Sequence, residues 1–406
     1  MNRPSGASSL LREPQPVSTA TSGANLEFGA VLALLLATGW VANHFVALMP
    51  AISERQHLST ATLDGIFGIY AVGLLPGLLL GGRASDVLGR RAVALTGSAI
   101  AVVGTVAMLL SQQADVLTIG RLIVGVGVGL AMSSGTAWAS DLKGPAGAAS
   151  AGAVLIVGFA IGPFAGGLIT GTAQSGVRIS FAVAAALVVA AMAVTMVAAR
   201  RPAETVAAEP CNSELATAPQ HGITRALGWA LPLAPWVFAS ATLGFVTIPA
   251  RVHTGLAAPV AAGLAALIVN GASGTIQVIA RVGKWGPQSG TAGAVLAALS
   301  YALVAVAPPT MTMALSLPLL LILGCAAGLS LREGLIDLEA AAPQRVRGTL
   351  TGVFYSVTYV GFGLPLLLTS AGPEITQLIL GAMAVLASTA AISRTLRLRR
   401  DGHRQS

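Results

Sequence analysis

Long apolar blocks alternate with short polar breaks along this chain, at a spacing that matches the thickness of a membrane. A membrane-spanning helix needs about 20 residues, and apolar runs of that order recur around 28–50, 64–82, 92–111, 115–138, 148–171 and 179–199. The longest polar interval follows, from Arg200 to about Arg225, with Glu204, Glu209 and Glu214 among prolines and alanines. Six further runs lie around 226–249, 256–280, 290–309, 311–331, 348–370 and 375–393. The pattern predicts an all-α polytopic membrane protein with 12 transmembrane helices in two six-helix, pseudo-symmetric halves, 27–199 and 226–393. Residues 200–225 read as a linker between the halves and 394–406 as a basic tail. Residues 1–26 are polar and read as a disordered tail. The run after them is too long for a signal-peptide core of about 7–15 residues.

Composition sharpens the class. Apolar residues make up 54% of the chain and charged residues 9%, against about 25% charge in soluble domains. So few charges cannot cover a water-facing surface of ordinary size. The 48 glycines suit helices that must approach closely where apolar burial gives them no drive to associate. Cys211 and Cys325 lie far apart, one in the polar interval and one in an apolar run, which suits neither a structural disulfide nor a metal site. No Gly-Lys-Ser/Thr phosphate loop is present, so the sequence gives no support for ATP-driven work. No cofactor and no enzyme activity are expected.

A net charge of +8 would point to nucleic acid in a soluble protein; here its distribution gives topology instead. With the first tail inside the cell, 19 of the 23 Lys and Arg residues fall in inside segments. Only Arg55, Arg178 and Arg251 fall outside, and Arg121 lies within a run. That asymmetry predicts both termini in the cytoplasm, an even helix count and residence in the plasma (inner) membrane.

One cytoplasmic break is more than a stop signal. Gly82-Arg83-Ala84-Ser85-Asp86-Val87-Leu88-Gly89-Arg90-Arg91 joins helices 2 and 3 with no room for a domain. Gly82 and Gly89 are expected to permit a sharp reversal and close packing. Asp86 can sit at a helix N-terminus, and Arg90 or Arg91 can pair with a carboxylate, for which Asp141 at the end of helix 4 is the candidate. A weaker copy, Arg281-Val282-Gly283-Lys284-Trp285-Gly286-Pro287-Gln288, follows helix 8. If Gly286 matches Gly89, the aspartate and the arginine pair are lost, and the repeat has decayed. Helix 5 carries Gly158, Gly162 and Pro163; its counterpart, helix 11, carries Gly361, Gly363 and Pro365.

These residues resemble the major facilitator superfamily over nearly the whole chain. The family's loop between helices 2 and 3 is matched at Gly82, Asp86, Gly89, Arg90 and Arg91, with Ala84 and Ser85 in place of the usual Leu and Ala. A helix 4 signature is matched at Arg121, Gly125 and Gly127, with Val124 where the family often has Gln. A helix 5 signature is matched in full at Gly158, Gly162, Pro163, Gly166 and Gly167. The resemblance implies that the hairpin latches the two halves in an outward-facing state, with Asp86 against the start of helix 11. The helix 5 motif is associated with proton-driven antiporters and implies the 12-helix drug:proton branch.

Other residues are singled out by being polar in apolar runs. Arg121 is the one Asp, Glu, Lys or Arg well inside such a run, where a charge costs about 2.5 kcal/mol or more. It is read as a coupling or substrate charge, against a structural arginine satisfied by backbone carbonyls. His44 in helix 1 is the lone histidine of the apolar runs and is either a proton or substrate site or a hydrogen-bonded packing residue. Asp64 opens helix 2 and is read either as a stabiliser of that helix's N-terminus or as a transport charge. Glu333 and Asp337, near Arg332, are expected to form a cytoplasmic charge cluster. Pro163 is expected to break or thin helix 5 at mid-membrane. Trp40, Asn43, Trp236, Asn270, Gln277 and Tyr355 are candidate cavity-lining residues.

Together these features lead to a monomeric secondary transporter working by alternating access, with a small-molecule substrate, protons and the bilayer as partners and no nucleic acid. Proton-coupled export of a small organic compound or drug is the leading expectation. No carboxylate is apparent in helix 1 or deep in the cavity, which favours a neutral, anionic or zwitterionic cargo over a permanently cationic one. Uptake of a metabolite by proton symport, or a non-transporting sensor with the same fold, are the alternatives.

Overall fold

The computed structural model describes residues 18–172, 174–199, 222–343 and 347–403, and these are almost wholly helical. Among the described residues eleven stretches are long and apolar enough to cross a membrane, and the last of them holds two helices, so the described residues form twelve helices of an integral membrane protein. They are α1 (Gly23–Gln56), α2 (Thr60–Leu88), α3 (Arg90–Leu110), α4 (Ala114–Gly144), α5 (Ala146–Thr172) and α6 (Gly176–Ala198). After residues 200–221, outside the described residues, come α7 (Ile223–Arg251), α8 (Ala258–Val282), α9 (Gln288–Val306) and α10 (Met313–Ala341). The last are α11 (347–371) and α12 (373–403), separated at Gly372, whose φ is +76° ahead of Pro373.

Helical structure extends beyond the apolar runs at several ends. It begins at Ser18, inside the stretch expected to be a disordered tail, and resumes at Ile223 and continues to His403, inside the expected linker and basic tail. The rest of the N-terminal tail and most of the linker lie outside the described residues.

Within 18–199, α1 packs on α5 and α6, α2 and α3 pack on α4, and α3 packs on α6; within 222–403, α7 and α8 pack on α10, and α9 packs on α10 and α12. The halves meet along two seams, α5 and the second part of α1 with α8, and α2 with α11. Glycine sets these spacings: a Cβ at Gly158 would lie 2.5 Å from the Leu36 carbonyl oxygen of α1, and one at Gly167 would lie 2.3 Å from the Pro259 carbonyl oxygen of α8. Gly361 repeats the first contact in the second half, closing on Ala239 of α7.

The breaks do not fall where the sequence puts them. α5 runs unbroken past Pro163, contrary to the expected mid-membrane break. Three other helices are interrupted instead: α1 at His44, α7 by a π segment at Leu243–Thr247, and α11 by a 3-10 turn at Val360–Gly363. Pro163 is tolerated because the carbonyl it leaves unbonded finds side-chain partners, described below.

Candidate functional site

Three groups of polar side chains lie along the bundle: at the end carrying the α2–α3 turn, at mid-depth, and at the opposite end. At the first, Gly89 alone links α2 to α3, with φ +92° and ψ 141°, a conformation essentially closed to side chains with a Cβ. Gly82, expected to share that work, sits within α2 with nothing within 4 Å of where its Cβ would stand. Arg90 is the hub: it reaches Asp86 at 2.5 Å, Ser85 Oγ at 2.6 Å and Asp141 at 2.9 Å. Among the described residues Arg91 takes no carboxylate; it donates to the carbonyls of Ala199 and Met196 at the C-terminus of α6, where the helix dipole favours a cation. The start of helix 11, which the resemblance places against Asp86, borders residues 344–346, outside the described residues.

The second half has rebuilt this cluster where the sequence suggests decay. The turn is made by Lys284, at φ +51°, and not by Gly286. Its arginine comes from α12. Arg394, read as the start of the basic tail, is 3% exposed and donates to Asp337 at 2.5 Å and to the Pro287 carbonyl at 3.0 Å, with Glu333 at 3.7 Å. Glu333 also accepts from Ser289 and Arg332, at 2.6 and 2.9 Å.

At mid-depth the geometry follows from Pro163. Having no N–H, it cannot bond the carbonyl of Phe159, four residues back. Asn43 of α1 donates to that oxygen at 2.9 Å and Asn270 of α8 reaches it at 3.4 Å, so a backbone acceptor is shared between the halves. A cavity of about 20 Å³ lies there, lined by Asn43, Asn270 and Phe159 with the rings of Tyr70, Phe238, Phe245, Tyr359 and Phe362. Of the six expected lining residues only Asn43 and Asn270 face it. Trp40 backs onto Gly162, Trp236 packs on Tyr301, Gln277 bonds within its own helix and Tyr355 stacks towards Phe354 and Tyr359. The phenylalanines carry no polar atom that distinguishes them within an apolar run.

Beside the cavity the break in α1 frees two carbonyls. His44 Nδ1 lies 3.1 Å from the Val41 oxygen, which sets the Nδ1–H tautomer, and Arg121 Nη1 donates to the Ala42 oxygen at 3.1 Å. The Arg121 guanidinium is fully buried over the rings of Tyr70, Phe45 and Phe67, at 4.4, 4.8 and 5.9 Å. Its Nε and Nη2, and His44 Nε2, have no hydrogen-bond partner among the described residues. Arg121 therefore stands behind the cavity wall, tied to the broken helix by a backbone carbonyl and an aromatic box.

At the opposite end Asp64 is not the cap of α2. Ser59 takes that place, accepting from the Thr62 N–H at 3.1 Å. Asp64 is 1% exposed and accepts across the α2–α11 seam from Thr369 Oγ at 3.0 Å, while its Oδ1 has no partner among the described residues. It borders two adjoining cavities, of about 200 and 360 Å³.

Known proteins narrow what such a bundle is. The model of the Major Facilitator Superfamily matches residues 29–365. Segments of 81 residues are 31% and 30% identical to the multidrug resistance protein MdtL of Shigella flexneri and of Escherichia coli, covering 20% of this chain and 21% of the relative. The chain thus matches about a fifth of the length of these curated relatives. Among solved structures, the peptide transporter POT in complex with alafosfalin superposes with a TM-score of 0.73 at 14% identity, over 92% of this chain and 95% of that one. The nucleoside transporter NupG superposes with a TM-score of 0.64 at 15% identity, over 91% and 99%. Those structures share the fold. Twelve helices in two packed halves, the charged α2–α3 turn and a family match over most of the length make this chain a member of the major facilitator superfamily, a membrane transporter rather than an enzyme.

Proposed function

We propose that this transporter exports a small neutral, anionic or zwitterionic organic compound from the cytoplasm against an inward flow of protons. The α2–α3 end then faces the cytoplasm. The observation that carries the reading is the mid-depth cavity on the seam, walled by both halves and free of charged lining, with Asn43 and Asn270 on one carbonyl. At about 20 Å³ it admits a water but no organic compound, so loading requires the halves to part, as alternating access demands. The exposed Arg90 cluster fits a latch that opens and recloses in that cycle. Resemblance to a multidrug resistance protein supports the outward direction, as does the complete helix 5 motif.

Proton exchange falls to buried groups with spare hydrogen-bonding capacity, of which His44 and Asp64 are the candidates. Arg121 acts on them through its charge and on the cavity through the broken helix. Everted membrane vesicles carrying the protein and a lumenal pH dye test this. On adding a transported compound to an acidified lumen, export by antiport makes the lumen more alkaline. Acidification, or no response across a broad compound panel, refutes proton-coupled export; the first result is that of an uptake symporter.

A further inference from the structure

The cavities bordered by Asp64 have a composition unlike the central one. The larger is lined by Asp64 of α2, Arg251 at the end of α7, and Thr60, Thr247, Thr369 and Gln377, among apolar residues. Asp64 has an oxygen with no partner, buried to the last per cent. Arg251 is half-buried, and among the described residues its guanidinium has no hydrogen bond and no carboxylate within 4.0 Å. An unpaired acid and an unpaired base thus share one chamber without touching. A buried carboxylate and a half-buried guanidinium both gain from direct charged partners, so the unmet demand here is for a molecule that brings both.

Both groups are held in place. Thr369 fixes the carboxylate from across the seam. The backbone around Arg251 forms a 3-10 turn, and its carbonyl accepts from the Met311 N–H at 2.7 Å, tying the end of α7 to the segment before α10. Rigid placement of the two ends of a site is what lets it select for the distance between two charges. At about 360 Å³ the chamber is within the range of small-ligand sites, whereas the central cavity is not.

We propose that this chamber is a binding site for a zwitterion, its primary ammonium on Asp64 and its carboxylate or phosphate on Arg251. The site deepens the export reading and rests on it for its role: it is the last station on the way out, beyond the central cavity. The same chemistry belongs to a free amino-carboxylate and to the headgroup of phosphatidylethanolamine, and the two sources are separable.

The test is equilibrium binding to the full chain in nanodiscs of phosphatidylglycerol alone, with no gradient, so that its result is independent of the vesicle assay. The probes are γ-aminobutyrate, ε-aminocaproate and ω-aminooctanoate, which step the charge separation. Controls are ε-aminocaproamide, a cation only, and N-acetyl-ε-aminocaproate, an anion only. At least one zwitterion is expected to bind about tenfold more tightly than either single-charge control, the order expected for losing one charge-assisted contact. Asp64→Asn is expected to reduce its affinity to that of the anion control, and Arg251→Gln to that of the cation control. Adding phosphatidylethanolamine to the nanodisc distinguishes the sources. Competition that both variants abolish assigns the site to the lipid headgroup; undiminished binding assigns it to a free solute. The proposal is overturned if zwitterions and single-charge controls bind equally. It is also overturned if neither variant alters binding, or if no zwitterion binds and no phosphatidylethanolamine is retained. The ligand series on the unmodified protein keeps the test decisive should a variant fold poorly.

Discussion

Pro163 acts through the carbonyl it leaves unbonded. Its missing N–H hands the Phe159 oxygen to Asn43 and Asn270, so replacing it with alanine restores a competitor for the same acceptor. Pro163→Ala is expected to raise the thermal unfolding temperature in detergent by a few degrees, for one regained helical hydrogen bond of about 1 kcal/mol, while lowering transport. An unchanged transport rate would show that the shared carbonyl has no part in the cycle. Asn43 and Asn270 were legible in the sequence as amides in apolar runs. Their acceptor was not read, because a main-chain oxygen has no letter, although a proline four residues on is a sign of one. Trp40, Trp236, Gln277 and Tyr355 stand out equally as polar or aromatic residues of apolar runs, and none of them lines the mid-depth cavity. In helices apolar on every side, hydrophobic periodicity does not say which face meets the cavity. Of the two roles open to Asp64, the helix end falls away for a related reason: Ser59 and Thr62, close in sequence, satisfy that end, and the hydrogen-bond partner of Asp64 is 305 residues away.

Helix number follows directly from the spacing of apolar runs; which helices meet across the halves and where helices break do not. α5 carries a full Gly-Pro motif and is continuous, while α1 breaks at His44, with no glycine or proline at the break. What decides is whether partners exist for the freed carbonyls, which depends on neighbouring helices. The glycines of α5 divide by what they face. Gly158 and Gly162 close on the α1 backbone within one half, whereas Gly167 closes on α8 across the seam. Gly158→Ala is therefore expected to cost about 1–3 kcal/mol of stability through overpacking against backbone that cannot yield, seen as a lowered unfolding temperature. Gly167→Ala is expected to leave each half intact and hold the seam apart at the Asp64 end. Cysteine pairs placed across α5 and α8 would then crosslink less, and transport would fall with little change in unfolding temperature. Equal loss of stability in both variants would mean that the seam is as fixed as the interior of a half.

Across the whole molecule the two halves answer the same structural problem with networks of different strength. In the first, Arg90 has 27% of its side chain exposed and its partners Asp86 and Asp141 have 61% and 56%. In the second, Arg394 is 3% exposed and Glu333 and Asp337 have 4% and 13% of their side chains exposed. Exposed ion pairs are worth about 0–1 kcal/mol and are screened by salt. Removing one partner of a buried pair costs about 3–5 kcal/mol, because the remaining charge is left uncompensated. A latch that must release in every cycle suits the first, and a fixed rivet joining α9, α10 and α12 suits the second. Arg394→Met, which keeps most of the volume, is expected to lower the unfolding temperature severely at any salt concentration. Removing Glu333 and Asp337 charge as well, by Glu333→Gln and Asp337→Asn, is expected to recover much of that loss. Arg90→Met is expected to shift unfolding only slightly, an effect that vanishes as salt is raised, yet to slow transport. If Arg394→Met proved as mild and as salt-dependent as Arg90→Met, the two networks would be equivalent and the division into a releasing half and a riveted half would fail.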